Sequence, residues 1–430
     1  MHRKEAIRSA AVAAGLLAAV AVAPARADDT IKVGVLHSLS GTMAISETTL
    51  KDTVLMMVDD LNKKGGLLGK KVEAVVVDPA SDWPTYAEKA GELLEKDKVA
   101  VIFGCWTSVS RKSVLPVIAK DNGLLFYPVQ YEGEESERGV FYTGAAPNQQ
   151  AIPAVEYLMS ADGGNVKRWV LEGTDYVYPR TTNKILRAFL HQHGVTDDDI
   201  LENYTPFSFS DWQTEVGKIK QFASAGKKTA VISTINGDAN VPFYKELANE
   251  GVKASDIPVM AFSVGEEELS GMDTTNLVGH LAAWNYFESV KTPANEAFID
   301  KWHAFIKNPK RTTNDPMEAT YIGFKMWTQA VLQAGTADVD AVREALIGQK
   351  VQNLTGSTAI MLPDHHLTKP VLIGEIRADG QFNVVSKTKD PVPGEAWASK
   401  YLDEDKGKVA NWTFPWVCES CTTPTYKTYE

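Results

Sequence analysis

Residues 99–128 read VAVIFGCWTSVSRKSVLPVIAKDNGLLFYP. "VAVIFG" is a short, fully apolar run stopped by Gly104, the pattern of a strand buried on both faces. "SRKSVLPVIAKDNG" then places apolar residues at helical spacing and stops at Asn122-Gly123. "LLFYP" is a second buried strand, ended by Pro128. Strand, helix and strand within thirty residues make a parallel βαβ unit, and the same alternation runs outward in both directions.

Upstream, "IKVGVLHSLSG" is a strand and loop, and "TLKDTVLMMVDDLNKKGG" sets Leu50, Val54, Met57, Val58 and Leu61 on one helical face. "KVEAVVVD" is a strand and "PTYAEKAGELLEKDK" an amphipathic helix. Downstream, "RWVLEG", "ILENYTPF", "KTAVIST" and "IPVMAFS" are strands separated by three helical patterns. Two helices, "EAFIDKWHAFIK" and "DPMEATYIGFKMWTQAVLQAG", follow. A hairpin-like pair, "VLIGEIRADGQFNVVSKT", turns at Asp379-Gly380. The expected fold is α/β, with two doubly wound parallel-sheet lobes. A length of 430 residues suits two well-cored domains.

"MHRKEAIRSAAVAAGLLAAVAVAPARA" has a basic start, a short apolar run and an Ala-Arg-Ala exit. It reads as a cleavable signal peptide, residues 1–27, which sends the chain to the periplasm. Its apolar run is short for a membrane span, and no later segment is apolar enough, so no membrane insertion of the mature chain is expected. The net charge of −11 becomes −14 without that segment's four basic residues and one acid, which argues against a nucleic-acid partner. Cys418 and Cys421 in "WVCESC" suit a local disulfide in an oxidising compartment. Cys105 remains as a small packing residue.

Ligands of open α/β sheets bind beyond the carboxyl ends of the strands. Those ends hold the candidate residues. In "GCWTSVSRK" they are Trp106, Thr107 and Ser108. A nucleophile there would need a base, and an anion cradle would need Gly-rich spacing; neither is present. Ser108 or Ser110 as helix cap is the plainer reading, with Arg111 and Lys112 on the helix surface. "LLFYPVQYEGEE" supplies Tyr127, Gln130, Tyr131 and Glu132, while Glu134, Glu135 and Glu137 read as a solvated acidic loop. "EGTDYVYPRTTN" supplies Asp175, Tyr176 and Tyr178, with Pro179 opening a helix. "STINGDANVPF" supplies Asn236 and Asp238. Together these are aromatic, hydroxyl, amide and carboxylate groups with almost no Arg or Lys. Such a set suits a small, planar, neutral ligand, because a carboxylate ligand would want a basic clamp. His191 and His193 do not share a helix face, and His365-His366 sits in a polar turn without further ligands, so no metal or other cofactor is expected. A hydrolase reading lacks both a metal cluster and a nucleophile with its base, so no enzyme activity is expected.

In order along the chain, "GCWTSVSRKSVLPV", "YPVQYEGEE", "GAAPNQQAIPAVEYL", "GTDYVYPRTTN", "STINGDANVPFYKEL", "FSVGEEEL", "RTTNDPMEATYIGFKMW" and "DHHLTKPVLIGEI" resemble the urea-binding proteins of urea ABC importers. That family lies in the branched-chain amino-acid-binding group of type I periplasmic binding proteins and is similar to cytosolic short-chain amide sensors. The resemblance covers about residues 31–390. It implies two lobes joined by three crossover segments: lobe 1 from 28–149 and 282–356, lobe 2 from 150–281 and 357–395, with an irregular tail over 396–430. It implies capture of urea or a short-chain amide and delivery to membrane permease subunits. A branched-chain amino acid is the alternative ligand. In amino-acid-binding relatives, the positions matching Ser108 and Val129–Tyr131 hold the ligand's α-carboxylate. In amide sensors, the positions matching Trp106, Ser108, Tyr127, Tyr176 and Tyr178 form the pocket, with Tyr in place of Trp106. Asp175, Glu132 and Asp238 are the expected acceptors for the urea N–H groups, and the Ser108 hydroxyl or a helix N–H the expected donor to its oxygen.

Overall fold

The computed structural model describes residues 30–410 and, beyond them, the backbone of two short strands at Trp412–Thr413 and Val417–Cys418. The 1–27 signal reading and the Cys418–Cys421 bridge lie outside the described side chains.

The first sheet is built from β1 (Thr30–Leu36), β2 (Lys71–Val77), β3 (Val101–Gly104), β4 (Leu125–Tyr127) and β5 (Val140–Tyr142). Its order is β2-β1-β3-β4-β5, every neighbouring pair parallel. Helices α1 (Ala44–Lys63), α2 (Trp83–Gly91) and α3 (Ser108–Lys120) make the crossovers. Phe103, Phe126 and Phe141 stack across three adjacent strands at 5.3 and 5.4 Å between centroids, the cross-strand contact that aromatic residues favour.

After α4 (Ala151–Met159) the pattern repeats in β6 (Arg168–Thr174), β7 (Ile200–Thr205), β8 (Thr229–Thr234), β9 (Val259–Ala261) and β10 (Leu281–Trp284). Their connections carry α5 (Val177–Gln192), α6 (Gln213–Ala223), α7 (Asn240–Asn249) and the short α8 (Glu266–Leu269). Alternate residues of β6 face opposite sides: Val170 joins the core under α6 and α7, while Trp169 and Leu171 join that under α4 and α5.

The chain then returns. Helices α9 (Pro293–Ile306), α10 (Asp315–Ala334) and α11 (Val339–Leu346) pack on the first sheet, where Phe324 and Trp327 meet Phe103. A hairpin of β11 (Lys350–Gln352) and β12 (Thr358–Ile360) follows. Next come β13 (Thr368–Lys369), β14 (Leu372–Ile376), β15 (Phe382–Lys387) and β16 (Val392–Pro393). β14 and β15 add antiparallel strands to the second sheet, whose order becomes β15-β14-β10-β9-β8-β6-β7. Thus the chain passes between the sheets three times.

Asn285 ties the three passages together. Its side-chain amide donates to the Gln149 carbonyl at 3.0 Å and to the Pro370 carbonyl at 2.7 Å, and its N–H donates to Asp315 at 2.9 Å. Lys369 is fully buried there, donating to the Thr143 carbonyl at 3.2 Å with Glu318 at 3.7 Å and Asp315 at 3.9 Å. Burial holds the Glu318 carboxyl up at about 7, against the pull of Lys369.

Strand order reverses between β1 and β3 in one sheet and between β6 and β8 in the other. These switch points open the crevice that the strand-end residues face.

Candidate functional site

Gly104 begins the site's first wall. A Cβ there would lie 2.7 Å from the Leu36 carbonyl, so only glycine lets β3 pack this close to β1. Cys105 then turns the chain with φ +67° and donates its N–H to Leu36 at 2.9 Å. Its thiol is fully buried and pushed far up by that burial, so it stays un-ionised. Thr107, not Ser108 or Ser110, caps α3: its hydroxyl accepts the Ser110 N–H at 3.1 Å. That frees Ser108, which is buried and donates its hydroxyl to the Glu132 carboxylate. The Tyr127 hydroxyl donates to the Trp106 carbonyl and fixes the Trp106 backbone against β4.

The acidic loop is not solvated. Glu132, Glu135 and Glu137 are all buried, and Arg111, read above as helix surface, is fully buried beneath them. Arg111 donates from Nε to Glu135 at 2.8 Å, and Lys112 donates to Glu135 at 2.9 Å. Burial pushes the Glu135 carboxyl up, but Arg111 and Lys112 outweigh it and hold it well below the usual range. The guanidinium also lies 4.5 Å from the Tyr127 ring centre and 4.6 Å from that of Tyr131. Arg111 reaches Glu132 only at 3.5 Å. Lys112 lies 3.7 Å from Glu132, and Arg111 also donates to the Ser108 hydroxyl at 3.3 Å, so the two cations are shared between Glu135 and Glu132 while the Ser108 hydroxyl donates to Glu132. His366, expected in a polar turn, is buried: its ring stacks on Tyr142 at 4.7 Å and meets the Tyr131 hydroxyl at 2.5 Å. His365 is buried as well, stacked on Phe141 at 4.1 Å.

The opposite wall comes from the second sheet. Tyr176 precedes α5 and Tyr178 lies in its first turn; Pro179 is the third helical residue, not the first. Tyr178 is buried and its phenol is pushed up by that burial. Gln130 crosses the crevice, donating from Nε2 to Ser263 beyond β9 at 2.8 Å. Three buried polar atoms here make no hydrogen bond of good geometry among the described residues: Trp106 Nε1, Gln130 Oε1 and the Tyr178 hydroxyl, which nonetheless lies close enough to Ser263 and Gln130 for both to lower its pKa against the effect of burial. Buried polar groups rarely stay unpaired, which makes these three candidates for contact with a ligand.

Two expected acceptors lie elsewhere. Asp175 is exposed at the surface, and its carboxylate accepts from Arg180 at 2.6 Å, which lowers its pKa. Asp238 is exposed at the crevice mouth, bonded to Thr42 and Ser208. Asn236 is buried but donates its side chain to the Thr234 carbonyl at 3.0 Å, which supports a turn. Ser263, Thr42, Trp83 and Phe207 were not singled out in the sequence. Ser263 follows a strand end, like the residues that were. Thr42 and Phe207 sit on loops and Trp83 opens α2, and their proximity is a product of the fold. Among the described residues no three His, Cys, Asp or Glu side chains are grouped to hold a metal ion, and no helix is long and apolar enough to cross a membrane.

Two α/β sheets, a triple crossover and a polar crevice between switch points define a two-lobed binding protein for a small molecule. The model of the periplasmic binding protein domain matches residues 31–403, and the chain belongs to that family, one of binding proteins rather than enzymes. Among its relatives is a Leu/Ile/Val-binding protein of Rhizobium johnstonii, 26% identical over 349 residues, covering 77% of this chain and 87% of the relative. Another is a leucine-, isoleucine-, valine-, threonine- and alanine-binding protein of Pseudomonas aeruginosa, 24% identical, covering 80% and 90%. The fold is shared with a solute-binding protein from R. palustris solved with 4-hydroxybenzoate, with a TM-score of 0.73 at 19% identity, covering 85% of this chain and 98% of that one.

Proposed function

We propose that this chain is the periplasmic solute-binding subunit of an ABC importer, that it closes on urea or a similarly small neutral amide, and that it hands this ligand to the membrane permease. The observation that carries the ligand assignment is the Ser108–Glu132 pair. If Ser108 stands where amino-acid-binding relatives grip an α-carboxylate, this chain already places a carboxylate of its own on that hydroxyl. Arg111 and Lys112 are already matched there by Glu132 and Glu135, so a further carboxylate would add a third negative charge to two largely buried cations. An N–H donor would be welcomed. Urea presents four N–H groups and one carbonyl oxygen. Glu132, Gln130 Oε1 and the Tyr178 oxygen are acceptors for the former, and the Trp106 indole N–H is a donor for the latter. Tyr127 and Tyr176 supply flat walls, Tyr131 backs them from its place against Arg111 and the stacked Tyr142 ring, and Thr107 caps the helix that carries Ser108.

The second reading is a branched-chain amino acid. The named relatives favour it over urea, since they are amino-acid-binding proteins. Calorimetry of the chain from residue 28 onward, with urea, acetamide, formamide and leucine, separates the two. We expect heat with urea and none with leucine. In Glu132→Gln we expect urea affinity at least tenfold weaker, about 1.4 kcal/mol. Tight leucine binding without a response to urea selects the second reading.

A further inference from the structure

Phe207, on the loop after β7, leaves the second lobe and lies against the first, and Ser208 follows it. The Phe207 ring is 5.4 Å from Trp83 at the start of α2 and, on its other side, 4.9 Å from Tyr176. Ser208 donates to both carboxylate oxygens of Asp238 at 3.1 Å, and Asp238 also accepts from the Thr42 hydroxyl of the first lobe at 2.6 Å. The backbone closes as tightly: the Asp238 N–H donates to the Thr42 carbonyl at 3.3 Å. Gly237 lies at φ +68°, and a Cβ there would come within 2.8 Å of that carbonyl. Deeper in, Ser46 of α1 donates to the buried Glu268 of α8 at 2.6 Å. Trp83, Phe207 and Asp238 touch each other's lobes at the rim, outside the unpaired polar atoms of the crevice.

We propose that this rim is a latch: Trp83 and Phe207, with Asp238 bridging Thr42 and Ser208, hold the lobes shut over the ligand. Phe207 is its positioning residue, because its ring touches both the opposite lobe at Trp83 and the Tyr176 wall. The latch acts on release. Opening must separate Trp83 from Phe207 and expose two aromatic faces to water, whereas the encounter of ligand with the open crevice needs neither ring. This inference rests on the proposed crevice but not on which ligand fills it.

The test compares wild type, Phe207→Ala, Trp83→Ala, the double variant and Phe207→Tyr. Stopped-flow binding and small-angle X-ray scattering are run without ligand, with urea and with leucine. We expect each alanine variant to release its ligand about tenfold faster with association unchanged within twofold. The double variant should be no worse than either single one, since the pair acts as a unit. Phe207→Tyr should restore slow release, and the alanine variants should show a larger radius of gyration at ligand saturation. If leucine rather than urea closes the wild type, the ligand assignment fails and the latch is judged on leucine. If Trp83→Ala behaves as wild type while Phe207→Ala does not, Phe207 merely props Tyr176, and the latch is overturned. Equal radii of gyration for wild type and variants in all three conditions overturn it too.

Discussion

Glu172 shows how little a single letter reveals of its charge. It lies within β6, fully buried, and neither carboxyl oxygen has a hydrogen bond of good geometry among the described residues, although the Asn203 amide on the neighbouring strand pulls its pKa down against burial. Burial pushes its carboxyl up to about 8, with the Glu215 carboxylate adding to the effect. A carboxyl whose folded pKa is raised binds its proton more tightly in the native state. Its contribution to stability is whole below about 4.5, the ordinary value, and fades as pH climbs toward 8. Glu172→Gln should therefore gain melting temperature relative to wild type between pH 5 and pH 8, with little difference at pH 4. Parallel melting curves across that range would show that the carboxyl is solvated or paired. The same blindness affected Arg111, Glu135, Asp175 and Asp238. Whether a charge is solvated depends on partners more than twenty residues away, as Arg111 and Glu135 are, and no local pattern encodes that.

At the scale of elements the sequence was far more legible. Buried strands and amphipathic helices declare themselves by period, and the parallel strands fell within segments read as such except β5 and β10, whose three and four residues are too short to show one. The candidate site was legible where it follows from strand ends: Trp106, Ser108, Tyr127 and Gln130 are all buried just at or beyond the ends of β3 and β4, and Tyr178 beyond the end of β6. Cap chemistry was less so, because Thr107, Ser108 and Ser110 are each good caps and only the backbone selects one. Thr107 is extended at φ −72°, ψ 148°, the conformation a cap requires. Thr107→Ala should cost about 1 kcal/mol in a denaturation midpoint. It should also loosen Ser108 at the mouth of α3. A change below about 0.3 kcal/mol would mean that another group takes over the Ser110 N–H.

The whole molecule turns on the place where its three passages meet. Lys369 carries the only cation the structure sets within 4 Å of the buried Asp315 and Glu318 carboxylates, among the described residues. Removing one member of a buried charge group typically costs about 3–5 kcal/mol, because its partners remain uncompensated. Lys369→Met should lose stability on that scale at pH 8, and less at pH 5, where Glu318 takes up its proton. Chemical denaturation at the two pH values checks this. The triple passage also bears on how the molecule can be made. Every strand of the first sheet has been synthesised by residue 142, yet the helices that cover it, α10 and α11, come only after β10. The second sheet in turn waits for β14 and β15. Neither half has a finished core until nearly the whole chain exists, so its order of manufacture and its order of assembly cannot coincide. Such a chain is suited to being delivered in one unfolded length and folding afterwards, both halves together.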